Sequence, residues 1–375
     1  MTSGRTVVRS APGKLFVAGE YAVVEPGTPA ILVAVDREIT VTVTLSDAAG
    51  IVISSDLVPR AVNWRWLDGR LHAPGTKNGE TDGHGARGAL AHVVSAVETV
   101  RRLLAERGLP LPGLDISISS RLHDNGRKYG LGSSGAVTVA TIDAITSLCG
   151  LDLSLDARYR LAVISSAGID PKGSGGDLAA STWGGWIAYQ APDRAFVLDL
   201  TRRHSIEEAL RTPWPGHSVR RLEAPRGLTL EVGWTGNPAS TTSLVSALHR
   251  RTWRGTASHR TFVETSTDFV RTSITALDAG DDQGLLCQIR RARQELARLD
   301  DEVGLGIFTP ELTALCAVAE TVGGAAKPSG AGGGDCGIAL FDAEAMHDIS
   351  HVRQRWAAAG VLTLPVRSAP ERIEE

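Results

Sequence analysis

Cysteine is scarce in this chain, with four among 375 residues. They stand at 149, 287, 316 and 336, and none is close enough to another for a CxxC-type metal pair. Cys149, Cys287 and Cys316 fall in apolar helical patterns and are expected as core thiols, which fits a reducing, cytoplasmic compartment. Long apolar runs are missing as well; none reaches the roughly 18 residues of a membrane span. The opening MTSGRTVVRSAPGK lacks the apolar stretch of a secretory signal. Charge of one sign is missing too. With 39 basic and 42 acidic residues the formal net charge is −3, without the basic footprint of a general nucleic-acid binder or the bias of a membrane-surface protein. No repeat of 20–50 residues is evident.

Glycine is what the chain has in excess. Of its 41 residues, the excess collects at 130–135, 173–185 and 323–337. Such clusters inside an otherwise apolar chain suggest backbone brought close to a ligand. The remaining composition, 42% hydrophobic and 22% charged, is that of an ordinary soluble protein. At roughly 100–200 residues per domain, the length suggests two domains.

Periodicity sets out the elements. Residues 5–45 read mostly as strand, with Asp36–Leu45 alternating apolar and polar. A short strand is expected at Ile51–Ser55, then an irregular stretch over 56–85 with a hairpin near Trp64 and Trp66. Ala86–Arg107 is helical by period, stopped by Gly108 and Pro110. Residues 133–149 place Val137, Ala140, Ile145 and Leu148 on one side, with Gly150 as the C-terminal cap. A second helix follows Ser154, and Trp183–Tyr189 and Ala195–Leu200 read as strands. Pro213, Pro215 and Pro225 in a polar stretch put a domain boundary near 225. Beyond it come a strand at Leu228–Trp234 and helices at about 239–253, 257–278 and 281–300. Thr309-Pro310-Glu311 opens another helix, with a cap, a proline and an acid in the first turn. Strands at Gly337–Phe341 and Val361–Val366 flank the last helix. This irregular mixture favours an α+β protein, with domains 1–225 and 226–375, over a doubly wound sheet.

Gly130-Leu131-Gly132-Ser133-Ser134-Gly135 opens the helix at 133. Free N–H groups at a helix start, with the positive end of its dipole, make an anion site. Ser133 and Ser134 add hydroxyls for phosphate or for a bound Mg²⁺, and Lys128 stands just before the loop. The letters also satisfy G-x-G-x-x-G, but a dinucleotide site needs a buried strand directly before the glycines. The preceding RLHDNGRKY is polar, and no lysine follows to make a Walker A loop. A helix cap of small residues is the bland alternative.

Two further segments accompany the loop: Ala11-Pro12-Gly13-Lys14-Leu15-Phe16-Val17-Ala18-Gly19-Glu20-Tyr21 and Lys327-Pro328-Ser329-Gly330-Ala331-Gly332-Gly333-Gly334-Asp335-Cys336. Together, in order and spacing, the three segments resemble the signature motifs of the GHMP kinase superfamily. Gly173-Ser174-Gly175-Gly176-Asp177 looks like its catalytic aspartate segment. GEY in the first motif, KYGLGSSG and GSGGD resemble the phosphomevalonate kinases within it more than the mevalonate kinases.

The resemblance implies a two-domain fold, with a ribosomal protein S5 domain 2-like N-terminal part and a ferredoxin-like α/β sandwich after it. The active site would lie in the cleft between them. It implies transfer of the γ-phosphoryl group of ATP to 5-phosphomevalonate, with Mg²⁺, by a cytoplasmic monomer or homodimer. ATP would be held by Lys128, Tyr129, Gly130, Leu131, Gly132, Ser133, Ser134 and Gly135, and the metal by Ser134. The acceptor would meet Lys14, Tyr21, Ser329, Ala331 and Gly332. Lys14 and Asp177 would be the catalytic pair. The acid that many relatives carry on the helix before the aspartate segment is absent from LAVISSAG.

Chemistry narrows these roles. A phosphate monoester has a second pKa of about 6, so as an acceptor it needs no base. It needs cations, because two polyanions must meet in a poorly solvated cleft. Lys14 is the best placed, and Arg127 and Lys128 could add charge. Asp177 is then expected mainly to orient Lys14. Trp64 and Trp66 could flank an adenine, though hairpin or core packing is favoured. His347 and His351 have the i, i+4 spacing of a metal pair but no third ligand, and Asp82-Gly83-His84-Gly85 reads as a turn.

Overall fold

The structure is a computed structural model that describes residues 5–373 apart from 57, 74–87, 125, 239–243, 245–247 and 249–252. Its first layer is built on β1 (Thr6–Ala18), β2 (Pro29–Ser46), β3 (Ile51–Ser55), β4 (Val62–Leu67), β5 (Arg70–His72) and β6 (Gly113–Ser120). A small hairpin of β7 (His123–Asp124) and β8 (Arg127–Lys128) follows, then β9 (Trp186–Gln190) and β10 (Ser218–Leu222). The sheet order is β10-β9-β2-β6-β3-β4-β5, with β1 also paired to β2. The β1–β2 register shifts at Pro12/Gly13 and again at Phe16/Ala18. Such irregularities re-aim the side chains between them, and Lys14 lies between these two.

Four helices pack against this sheet and one another: α1 (Ala91–Glu106), α2 (Ser133–Leu148), α3 (Leu155–Ala167) and α4 (Gly176–Trp183). The sequence pattern gave α2 one inward stripe. In the structure it is buried nearly all round, including Thr138, Thr141, Asp143 and Thr146, because β1, β2, α1, α3 and α4 enclose it. Val137, assigned to the inward stripe, is half-exposed. The buried Asp143 carboxylate is met by Arg158 at 3.1 Å and Arg372 at 2.9 Å.

Ala195–Leu200, expected as strand, is part of α5 (Arg194–Arg203). A short apolar run cannot distinguish the two states. The cap decides: the Asp193 carboxylate accepts from the Ala195 and Phe196 amides at 2.9 and 3.1 Å. The strand expected from Trp183 starts only at Trp186, since Gly184 and Gly185 both turn through positive φ.

α6 (Ile206–Arg211) leads to β10, and the chain then enters a second sheet. This one has β11 (Leu228–Trp234), β12 (Ala325–Pro328), β13 (Cys336–Asp342) and β14 (Leu362–Thr363), in antiparallel order β12-β13-β11-β14. Its helices are α7 (Ala257–Ala279), α8 (Asp282–Val303), α9 (Pro310–Glu320) and α10 (Met346–Ala358). Thr309 caps α9 with proline at its start, as expected. Of the expected last strand, Leu362 and Thr363 pair with β11 and the Leu364 amide donates to the Val232 carbonyl at 2.8 Å, and most of the helix expected at 239–253 lies outside the described residues. Phe269 of α7 and Ile289 of α8 join the same apolar core as β1, β2 and α2, so the layers are not independent. The chain end returns to the first sheet, where Ser368 bridges Val35 and Glu371 bridges Gly184. Cys316 and Cys336 are buried, Cys149 is half-buried, and Cys287 is exposed on α8 rather than in the core.

Candidate active site

A cleft of about 640 Å³ opens beside the start of α2 and reaches the residues of all four glycine-containing segments. Gly132 caps α2 and brings no side chain to its first turn. Gly130 and Gly132 have φ of 81° and 74°. A Cβ on Gly130 would stand 2.4 Å from that of Asp335, so the loop backbone runs directly against the second sheet's own turn.

Lys14 is nearly enclosed, at 8% exposure, and faces the cleft. Its amide donates to the Leu131 carbonyl at 2.8 Å, which ties β1 to the phosphate-type loop. Its ammonium lies 5.1 Å from the centre of the Phe16 ring. Burial pulls its pKa below the ordinary lysine value, an effect opposed by Asp177, Asp335, Cys336 and Glu20. An ammonium kept short of water is receptive to an incoming anion.

Asp177 sits in the first turn of α4, facing the same cleft. Its Oδ2 accepts from the Ser134 hydroxyl at 3.5 Å, the outer limit of a hydrogen bond. Lys14 and Asp177 form no direct ion pair. The Gly132 backbone lies between them: a Cβ there would meet Lys14 Cε at 3.2 Å and Asp177 Cβ at 3.3 Å. Asp177 nonetheless acts on Lys14 through its charge, which favours the ammonium form.

Of the candidate site residues, Lys14, Tyr21, Lys128, Gly130, Gly132, Ser133, Ser134, Asp177 and Ala331 line the cleft. Tyr129, Leu131, Gly135, Ser329 and Gly332 stand behind it. The Ser329 hydroxyl accepts from the Phe16 amide at 2.9 Å and donates to its carbonyl at 3.0 Å, fastening the turn to β1. Tyr21, with φ of 60°, donates its hydroxyl to the Ala331 carbonyl at 2.5 Å. Tyr129 lies edge-on to Trp234, 5.0 Å between ring centres, beneath the Arg37 guanidinium. Trp64 is in the core and Trp66 lies under Arg101, so neither reaches the cleft. The 82–85 turn lies outside the described residues.

The structure adds residues that spacing did not single out. Asp170, His92 and Asp335 also line the cleft. Burial lowers the His92 pKa, and its Nδ1 is buried without a partner among the described residues. Beneath the 329–335 turn, Lys327 pairs with Glu20 and also donates to the Pro328 carbonyl at 2.8 Å. Lys327 and Glu20 both stand inside quoted motifs, but no pattern joins positions 307 apart. The Ser134 hydroxyl and the Asp177 carboxylate, in contact at the start of α2, are oxygen donors of the kind Mg²⁺ takes.

Comparisons with known proteins bear on the family and the fold. Family models described as "GHMP kinases N terminal domain" and "GHMP kinases C terminal" match residues 91–185 and 276–358. The chain is 72% identical over 378 residues to the phosphomevalonate kinase of Streptomyces sp. (strain CL190), covering 100% of both chains. It is 29% identical to the mevalonate kinase of Pyrococcus abyssi, covering 90% of this chain and 89% of that one. The solved Streptococcus pneumoniae phosphomevalonate kinase, in complex with phosphomevalonate and AMPPNP, superposes with a TM-score of 0.82. That pair shares 27% identity, over 96% of this chain and 99% of the other.

Proposed function

The chain belongs to the GHMP kinases, and we infer that it transfers the γ-phosphoryl group of ATP to (R)-5-phosphomevalonate, giving (R)-5-diphosphomevalonate and ADP. The observation that carries this is the end-to-end likeness to the Streptomyces enzyme, far above that to any mevalonate kinase compared. The place of such a step is isoprenoid precursor synthesis from mevalonate.

Phosphoryl transfer asks a protein mainly for positioning and for charge that offsets spread negative charge. The amides at the start of α2 and the Ser133 and Ser134 hydroxyls hold the triphosphate, with Lys128 at the cleft edge. Lys14 offers its ammonium to both phosphates at once. In a poorly solvated cleft that attraction outweighs what the same charge achieves in water. Asp177 and Ser134 would hold Mg²⁺, which supplies further positive charge to the phosphates when bound. The acceptor phosphate is already largely dianionic at neutral pH, so Asp177 is not needed as its base. Tyr21 and Ala331 border the acceptor side. Support for these roles is their convergence on one cleft; the enzyme would act in the cytoplasm.

The test is ADP release from Mg-ATP with 5-phosphomevalonate, mevalonate, galactose and homoserine in parallel. Turnover with 5-phosphomevalonate is expected. Turnover with mevalonate alone would overturn the assignment.

A further inference from the structure

The segment carrying Asp177 is a poor candidate to hold itself still. Residues 168–176 contain Gly168, Pro171, Gly173, Gly175 and Gly176, and they join α3 to α4 without regular structure until Gly176. Yet Gly173, Ser174 and Asp177 all face the cleft, and a misplacement of about 1 Å at a reacting site can cost about a hundredfold in rate. Within the segment, the Asp170 carboxylate accepts from the Lys172 and Gly173 amides at 3.2 and 3.1 Å and the Ser174 hydroxyl from the Gly176 amide at 3.2 Å; these bonds shape the turn, and contacts from outside fix it to the body of the protein.

Two buried tyrosines stand behind it. Tyr189 of β9 donates its hydroxyl to the Ser174 carbonyl at 2.6 Å. Its only proton is thereby committed. The Tyr159 hydroxyl of α3, 2.8 Å away, must be the donor to Tyr189. The result is a directional relay from Tyr159 through Tyr189 to the loop backbone. Both rings are fully buried. Tyr159 is itself held by stacking on His217, 4.8 Å between ring centres and 12° between planes. Burial raises both phenol pKa values, so the protons stay in place across the working pH range. Beside the tyrosines, Arg194 donates to the Asp170 carbonyl at 3.1 Å. A Cβ on Gly175 would meet Arg194 at 3.0 Å and the Tyr189 hydroxyl at 3.1 Å, so the backbone rests directly on both.

We propose that Tyr189 and Arg194 are positioning residues: they clamp the 170–175 backbone to the first layer, and so fix Asp177 and Ser174 in the cleft. Tyr159 stabilises Tyr189 but does not itself touch the segment's carbonyls. The inference rests on the kinase reading, which wild-type turnover tests separately.

The relay supplies its own control. Tyr189→Phe removes the bond to Ser174 and leaves the ring in place. Tyr159→Phe removes a buried hydroxyl of the same kind but leaves Tyr189 free to donate to Ser174. Tyr189→Phe should lower kcat about tenfold with both KM values within about twofold, and speed amide exchange over 172–177. Tyr159→Phe should lower the melting temperature comparably yet keep kcat within about twofold of wild type. Arg194→Gln, on a more exposed helix, should repeat the kcat loss and secures the test if Tyr189→Phe does not fold. Wild-type kcat in Tyr189→Phe or in Arg194→Gln overturns the proposal. Equal kcat losses in the two tyrosine variants, tracking stability alone, overturn it as well. Wild-type turnover alongside either result leaves the kinase reading intact.

Discussion

Lys327→Met removes one half of a buried ion pair. The Lys327 side chain is 0% exposed and that of Glu20 is 2% exposed. With the ammonium gone, the Glu20 carboxylate keeps the Gly330 amide at 3.4 Å. A buried charge stripped of its partner typically costs about 3–5 kcal/mol. Against a total stability of about 5–15 kcal/mol, that is a large fraction. Methionine matches the lysine stem in length, so lost packing contributes little and the unpaired charge dominates. Glu20→Gln in the same chain removes that charge while leaving an amide oxygen for Gly330. The double variant should therefore recover about 2 kcal/mol relative to the sum of the single changes. Urea unfolding of wild type, both singles and the double at pH 7 reads this directly. Single-variant losses under about 1 kcal/mol, or losses that simply add, would refute the claim that the pair is a buried, mutually dependent unit. Because the pair lies directly under the 329–335 turn, the singles should also weaken substrate binding at temperatures where they remain folded.

Three further outcomes follow from the cleft. Lys14→Ala should lose more turnover than Asp177→Asn, since the acceptor needs charge rather than a base; an equal or larger loss in Asp177→Asn would contradict that ranking. The Lys14 pKa lies below its ordinary 10.5, and the working form is the protonated one. The free-enzyme kcat/KM should therefore decline as pH rises through that lowered value, and Lys14→Arg should abolish the decline because a guanidinium keeps its charge; a flat profile up to pH 10.5 in the wild type, or the same decline in both proteins, would contradict this. At Gly135 an added Cβ would stand 2.7 Å from Asp177 Oδ2. Gly135→Ala should thus cost roughly ten- to a hundredfold in kcat with a folded chain, and kcat within twofold of wild type would show that the carboxylate position does not matter.

Much of this was legible from residue order. Period-two alternation, helix caps at Ser154 and Thr309, and the glycine stop at Gly150 are local events, decided by neighbours within a turn or a strand. The three glycine segments are legible for the same reason, since a backbone that must approach phosphate can tolerate few residue types. The misreadings have a common source. Ala195–Leu200 is apolar enough for either state, and only the Asp193 carboxylate folding back on its own amides selects the helix. Val137 was assigned inward because a one-faced pattern presumes one solvent face, whereas α2 meets protein almost everywhere except the cleft.

What sequence alone determined is the list of chemical groups and the local backbone shapes that present them. Tertiary structure decided which groups meet. Only folding sets Gly132 between Lys14 and Asp177, turns Ser329 into a clasp on Phe16, and pairs Glu20 with Lys327. These contacts join segments up to about three hundred residues apart, where periodicity carries no information. Charge and hydrogen bonding act through distance in space, and that distance exists only once both sheets share a core.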